Sequence, residues 1–346
     1  MFRKSCTTTA LIFAILLVFT ACSSSKEAGK SQNNAASSPT AIAAAEASKP
    51  QTRTVKHALG TTEIPTKPQR IASINLEDML LSLEVPIVLG TGLSETYYLA
   101  DKLKEKKAEY AIWGDTINYE AVLASKPDLI VTSKAIKPVD YEQLSKIAPT
   151  IAFERDDWQT SITDVGKALG IEDKVSKVLA DYEAKLKKGQ EEISKVVDKG
   201  ATVAFIRLIG KEFRVYFPTY TADNKVLRTY TSAAYQDTGL APDPLLAQLQ
   251  KEKPNSQNAS VSLEKLPELT ADYIFVTLGG ASVTEEELKT DVASFNEIAQ
   301  TKVWQSLKAV KNGHVFRVNA RHWISNGPIA EGLKIEDTVR ALTTAK

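Results

Sequence analysis

Residues 172–197 form one long amphipathic stretch in the middle of the chain, and it limits what the flanks can be. Apolar side chains fall at Val175, Val178, Leu179, Tyr182, Leu186, Ile193, Val196 and Val197, close to a 3.6-residue period. Lys, Glu and Asp fill most positions between. The pattern predicts a helix that spans roughly 39 Å at 1.5 Å per residue, enough to cross a small domain. Gly189 and Gln190 interrupt the stripe, which argues against a coiled coil. A helix packed on one domain and a helix joining two both fit the stripe, so the flanks must decide.

Both flanks alternate short strands and helices. Before the stretch, strands are expected at 70–74, 87–90, 127–132 and 150–153, and helices at 76–83, 119–124 and 139–147, with Asn75 as a helix N-cap. After it, strands are expected at 202–208, 212–217, 271–276 and 314–318, the first two joined as a hairpin through Gly210 and Lys211. Residues 261–266 lead into a helix, and 303–310 and 328–342 are helical. Such alternation makes parallel α/β sheets.

The two flanks also echo each other. Glu120 is followed eight residues later by Asp128, which opens an apolar strand; Glu264 is followed eight residues later by Asp272, which does the same. Two similar lobes with a helix between them leave a cleft, a usual place for a ligand. The expected fold class is therefore α/β: two Rossmann-like lobes with mainly parallel sheets, joined by a single long α-helix. The divisions are a leader at 1–21, a flexible tether at 22–54, an N-terminal lobe at 55–156, linking helices at 157–199 and a C-terminal lobe at 200–346.

The leader has Arg3 and Lys4 ahead of an apolar run of 11 residues at 10–20, too short to span a bilayer, which needs about 20. It ends Phe19-Thr20-Ala21-Cys22 and resembles the lipobox of bacterial lipoproteins, in which the cysteine is lipidated. An ordinary secretory leader is the alternative; the polar, Ala/Ser-rich tract that follows favours the lipobox. The folded part is then expected at the extracytoplasmic face of the cell membrane, on a Gram-positive outer surface rather than in a periplasm. Loss of Arg3 and Lys4 takes the net charge from +1 to near −1, which argues against a nucleic-acid binder. The two cysteines are Cys6 and Cys22, so neither disulfides nor Cys-based metal sites are available to the folded part.

Catalytic patterns are few. Gly90 and Gly92 follow a strand, but Glu95 stands where a dinucleotide loop needs its third glycine. There is no phosphate-binding P-loop, no nucleophile elbow and no paired-histidine zinc motif. The three histidines, His57, His314 and His322, are scattered.

Several fragments between about residues 55 and 342 resemble the lipid-anchored substrate-binding proteins of ABC importers for ferric siderophores, the class that also holds the vitamin B12 binders. They are Arg70-Ile-Ala-Ser, the run 118–131 with its Lys-Pro-Asp-Leu-Ile, the run 141–150 with its Ser-Lys-Ile-Ala-Pro-Thr, Phe213-Arg-Val-Tyr, and the run 310–318. The resemblance implies a receptor, not an enzyme, that captures a ferric chelate between its lobes and delivers it to a membrane permease. Iron enters only within the siderophore, with no cofactor. It also implies one exposed glutamate per lobe that docks onto permease arginines, and those positions match Glu120 and Glu264, the pair the internal echo singles out. Charges at an interface rim set orientation and association rate more than affinity. Both residues are equally placed as ordinary carboxylates at helix starts.

A ferric siderophore is large, polar and often anionic, so arginines, hydroxyls and aromatic walls suit it. Arg207 lies late in an otherwise apolar strand and needs either a ligand or a buried carboxylate. Arg214 is a weaker candidate. The loop after the last strand offers Arg321 as a donor and Trp323 as a wall, since loops leaving the C-terminal ends of parallel strands face the cleft. Trp113 is a second wall by resemblance. Tyr97, Tyr98 and Tyr220 are possible hydroxyl donors. Core packing is the alternative for the tryptophans, and the expected role for Trp158 and Trp304. A hydroxamate or citrate-type siderophore fits best. The alternatives are haem or cobalamin, with Met79 and His322 as axial ligands, and an exported metal-dependent hydrolase.

Overall fold

The computed structural model describes residues 51–92, 97–112, 116–222, 224–235, 237–280 and 284–344. Cys22 and most of the expected tether lie outside them. The N-terminal lobe opens with an antiparallel hairpin, β1 (Thr52–His57) and β2 (Gly60–Pro65). His57 pins it to the lobe. Its Nδ1 accepts the N–H groups of Leu59 (3.3 Å) and Ala152 (3.2 Å), so the proton sits on Nε2, 2.9 Å from Thr62 Oγ1. Burial lowers its pKa.

The lobe continues through β3 (Ile71–Ile74), α1 (Glu77–Ser82), β4 (Ile87–Gly92), α2 (Ala100–Glu105) and β5 (Glu109–Ile112). It ends with α3 (Tyr119–Ala124), β6 (Leu129–Ser133), α4 (Pro138–Ile147) and β7 (Thr150–Phe153). Strands β3 to β7 form one parallel sheet in the order β5-β4-β3-β6-β7. The chain winds outward from β3 to one edge and then returns beside β3 to build the other. The switch point therefore lies between β3 and β6, where open α/β sheets bind ligands. Apolar residues cover both sheet faces: Ile71, Leu129, Val131 and Ile151 lie in one buried cluster, Ala72, Ile74, Leu89 and Ile130 in another.

Two helices lead out, α5 (Trp158–Leu169) and α6 (Glu172–Ile193), with Gly170 between them at φ +67° closing α5 in the left-handed region. The C-terminal lobe begins with β8 (Thr202–Ile209) and β9 (Glu212–Tyr216), antiparallel through Gly210 as the sequence predicts. A second hairpin follows, β10 (Thr219–Ala222) and β11 (Lys225–Arg228), then β12 (Ala241–Pro242), α7 (Pro244–Glu252), β13 (Asn258–Val261) and β14 (Tyr273–Leu278). The chain ends with α8 (Glu285–Ala299), α9 (Lys302–Ser306), α10 (Lys308–Lys311), β15 (Val315–Arg317), α11 (Ala320–Trp323) and α12 (Pro328–Thr344). The sheet order is β13-β9-β8-β14-β15, with β12 beside the start of β8. Unlike the first sheet it is mixed, because β9 runs antiparallel to β8 and β13.

The echo between lobes is structural. Asp128 accepts the N–H groups of Gln69 (2.7 Å) and Arg70 (3.0 Å) just ahead of β3, and β6 pairs with β3. Asp272 accepts the N–H of Thr202 (2.8 Å) at the start of β8, and β14 pairs with β8. Each aspartate ties two parallel strands at their N-terminal ends.

The middle helix is a connector. Val175 and Tyr182 of α6 lie in the core of the N-terminal lobe, Ile193 in that of the C-terminal lobe. Gly189, which breaks the apolar stripe, is a contact point: a Cβ there would come within 2.8 Å of Ile335 on α12. Helix α12 is a second bridge, with Ile335 in the first core and Leu342 in the second.

Three local expectations are corrected. Asn75 does not cap α1. It sits at φ +63°, and its own N–H donates to Glu77 Oε1 and Thr91 Oγ1, both at 3.1 Å. Residues 303–310 form two short helices, because Leu307 is extended and buried between them. Residues 263–268 form a 3-10 turn that holds Pro267.

Candidate functional site

The ends of β3 and β4 meet the C-terminal lobe over a narrow recess of about 60 Å³. Asn75, Thr91, Tyr97, Tyr98 and Arg155 line it from one lobe, Ile324, Ser325 and Asn326 from the other. Two carboxylates are buried beneath it. Glu77 Oε1 accepts the N–H of Thr91 at 2.8 Å, and burial pushes its pKa up. Asp78 is pushed up to about 6 by burial, against the pull of three donors. These are the Tyr98 hydroxyl (2.7 Å) and the N–H groups of Ile329 (2.8 Å) and Ala330 (2.9 Å). Tyr97 lies edge-on to Tyr98 and stacks on Tyr110.

Arg155 brings one cation to the recess from the N-terminal lobe, and the C-terminal lobe places two arginines beside the turn that leaves β14. Arg207 Nε donates to Gly279 O at 2.7 Å, and Nη1 lies 3.4 Å from the Tyr216 hydroxyl. A Cβ on Gly280 would sit 2.5 Å from Arg207 Nη2 and 3.9 Å from Ile324, so the guanidinium tip lies close against this turn. Arg321 is buried and donates to Gly280 O at 3.2 Å and to Glu285 at 3.4 Å. The two predicted donors thus meet at one Gly-Gly turn leaving β14. Beyond Arg321, with Arg317 and Leu278, opens a pocket of about 580 Å³. Arg214 faces Arg207 directly across β8 and β9, but its charge is matched by Glu212 at 3.0 Å.

Other expected residues fall elsewhere. Trp323 is no cleft wall. It is fully buried, stacked between Phe205 (5.5 Å) and Phe275 (5.3 Å), and its indole N–H donates to Asp337 at 2.9 Å. The single turn of α11 folds it back under the sheet. Tyr220 reaches across to the N-terminal lobe, where its hydroxyl donates to Asp156 at 3.3 Å, the carboxylate that also accepts from Asn326 of the recess. Trp113 lies outside the described residues. Met79 is packed in the N-terminal core, and His322 is paired with Asp337 at 2.7 Å, so neither is placed as an axial ligand. Among the described residues, no cluster of three metal-ligating side chains occurs. Glu120 and Glu264 are both exposed, each at the first turn of its helical segment.

Sequence reading missed Asp78, Asp156, Arg155, Asn326 and Lys334. Lys334 is fully buried and donates to Tyr230 O (2.5 Å), Ser325 O (2.7 Å) and Glu331 (2.8 Å), bracing the recess from α12. Burial lowers its pKa and raises that of Glu331. A charged pair three residues apart within an amphipathic helix gives no sign that it faces inward.

Residues 80–321 match the profile of a family described as periplasmic binding protein. The chain belongs to that family. It is 27% identical to a probable siderophore-binding lipoprotein, YfiY, of Bacillus subtilis, over 92% of this chain and 93% of the relative. It is 28% identical to the iron(3+)-hydroxamate-binding protein FhuD of the same organism, over 96% and 97%. Among solved structures it resembles Staphylococcus aureus SirA complexed with staphyloferrin B, with a TM-score of 0.69, 27% identity, and coverage of 84% of this chain and 98% of SirA. FhuD2 of the same organism, with bound ferrioxamine B, aligns at a TM-score of 0.63, 26% identity, and coverage of 80% and 99%. The two-lobed α/β architecture and the substrate-binding role expected from the sequence are those of this family.

Proposed function

We propose that this chain is the lipid-anchored, extracytoplasmic substrate-binding protein of an ABC importer, and that it captures a ferric siderophore of hydroxamate or citrate type between its lobes. The observation that carries this reading is Arg207. It is half-buried beside the Gly279-Gly280 turn that leaves β14, with no carboxylate within ion-pair distance among the described residues. Gly279, Tyr216 and the adjacent Tyr230 account for part of its five N–H donors. A guanidinium so placed suits the oxygen-rich, anionic shell of a ferric chelate. Arg321 and Tyr97 complete the donor set, with Trp113 as a wall. Iron enters only as part of the chelate, and the protein acts by binding, not catalysis.

Anchoring is assigned to Cys22 through its lipobox, and permease docking to Glu120 and Glu264, one on each lobe. The haem reading loses the support of Met79 and His322. Titration of intrinsic fluorescence with ferrioxamine B, ferric staphyloferrin B and ferric citrate tests the assignment. Saturable quenching by one of them at or below micromolar concentration is expected; no binding by any would refute it.

A further inference from the structure

We propose that Asp78 and Asp156, both from the N-terminal lobe, are positioning residues that latch the lobes together and set the width of the ligand cleft. The geometry stands alone; the consequence for ligand rests on the function proposed above.

Helix α12 has 17 residues and starts after Gly327, whose carbonyl accepts the first helical bond from Glu331 at 3.0 Å. An N-cap side chain normally satisfies the first free N–H groups of a helix. Glycine has none, and Asp78 of α1 fills that role through Ile329 and Ala330, fastening the start of the bridging helix to the N-terminal lobe. A negative charge is also favourable at that end of the helix dipole. The fit depends on the glycine: Gly327 sits at φ +133°, and a Cβ there would lie 2.3 Å from the Asp78 carboxyl carbon.

Asp156 makes the second attachment. Its carboxylate accepts from the side chains of Asn326 (3.0 Å), Tyr220 (3.3 Å) and Gln257 (3.4 Å), all in the C-terminal lobe. Asn326 and Gly327 are adjacent, so the segment flooring the recess is held by one aspartate on each side. Pulling the start of α12 away from the N-terminal lobe would strip the buried Asp78 of its helix donors, leaving a desolvated carboxylate under-satisfied. Such a device restricts hinge motion and presents the cleft already formed, which lowers the ordering cost of binding.

The test is a distance measurement between lobes. The only cysteines are Cys6 and Cys22, so a mature chain with Cys22 replaced can carry spin labels at Leu123→Cys on α3 and Ala293→Cys on α8, both exposed. Pulsed electron paramagnetic resonance on ligand-free protein is expected to give one narrow distance. Asp78→Ala and Asp156→Ala should each broaden it, and the pair should broaden it most. Asp78→Asn should restore part of the narrowing, because the amide oxygen still accepts one helix N–H. Gly327→Ala should mimic Asp78→Ala with the carboxylate intact. In the same series the affinity for ferrioxamine B should fall about tenfold in Asp78→Ala and less in Asp78→Asn. Unchanged distance distributions in Asp156→Ala and Gly327→Ala would overturn the latch. Since the distances are read without ligand, failure of the parent to bind ferrioxamine B would count against the proposed ligand class and not against the latch.

Discussion

The two lobes meet at the cleft with opposite chemistry. The N-terminal lobe brings Glu77 and Asp78, fully buried and turned toward protein donors. The C-terminal lobe brings Arg207 and Arg321 at the open end of β14. The difference follows from topology. In the first lobe the chain turns at the switch point straight into α1, which carries its carboxylates under the loop. In the second, β9 doubles back on β8, and the C-terminal ends of the central strands β8 and β14 give onto the Gly279-Gly280 turn that holds Arg207 and Arg321. One lobe therefore buries its carboxylates in the frame, and the other gathers two arginines at a single turn.

That comparison can be broken at several points. The largest effect is expected where the lobes are alike. With Glu120→Ala and Glu264→Ala combined, uptake of the iron chelate by cells should fall to background while affinity stays unchanged; either single change should give an intermediate rate. Unchanged uptake in the double variant would remove the docking role. The next effect separates the lobes. Arg207→Ala should weaken chelate binding roughly 100-fold, about 2.7 kcal/mol, as expected for lost charge-assisted hydrogen bonds. Tyr97→Phe should weaken it only about fivefold, the scale of one neutral hydrogen bond. Equal losses by calorimetry would erase the asymmetry.

The smallest effect belongs to the N-terminal lobe alone. Burial holds the His57 pKa below its ordinary 6.5, so the unfolded chain takes up a proton that the folded one resists. The contribution of neutral His57 is complete above pH 6.5 and is lost as pH falls through that value toward the lower folded pKa. Protonating Nδ1 would point a third N–H at the two it now accepts. Protection against hydrogen exchange, taken relative to the intrinsic rate at each pH, should fall in β1, β2 and β7 on acidification, with that of β8 and β14 unaffected, and His57→Gln should flatten the dependence.

Much of this architecture is legible in the chain. Periodicity finds the connecting helix, and the Glu-to-Asp spacing finds both lobes, because each aspartate performs the same strand-tying task. Arg207 stands out since a charge in an apolar strand demands a reason. What stays hidden is long-range. Trp323 follows a strand as a cleft residue would, yet one turn of helix reverses its direction. Asp78 reads as a first-turn acid of α1, and nothing local shows that it caps a helix some 250 positions away. Gly189 reads as a flaw in a stripe until α12 is laid across it.

The most direct measurement is the position of iron itself. Crystals grown with ferrioxamine B, and with ferric citrate in parallel, would be examined at the iron absorption edge. The account predicts one strong anomalous peak between the lobes, above the recess and flanked by Arg207 and Tyr97. A peak confined to the outer surface of either lobe, or none from either chelate, would contradict it.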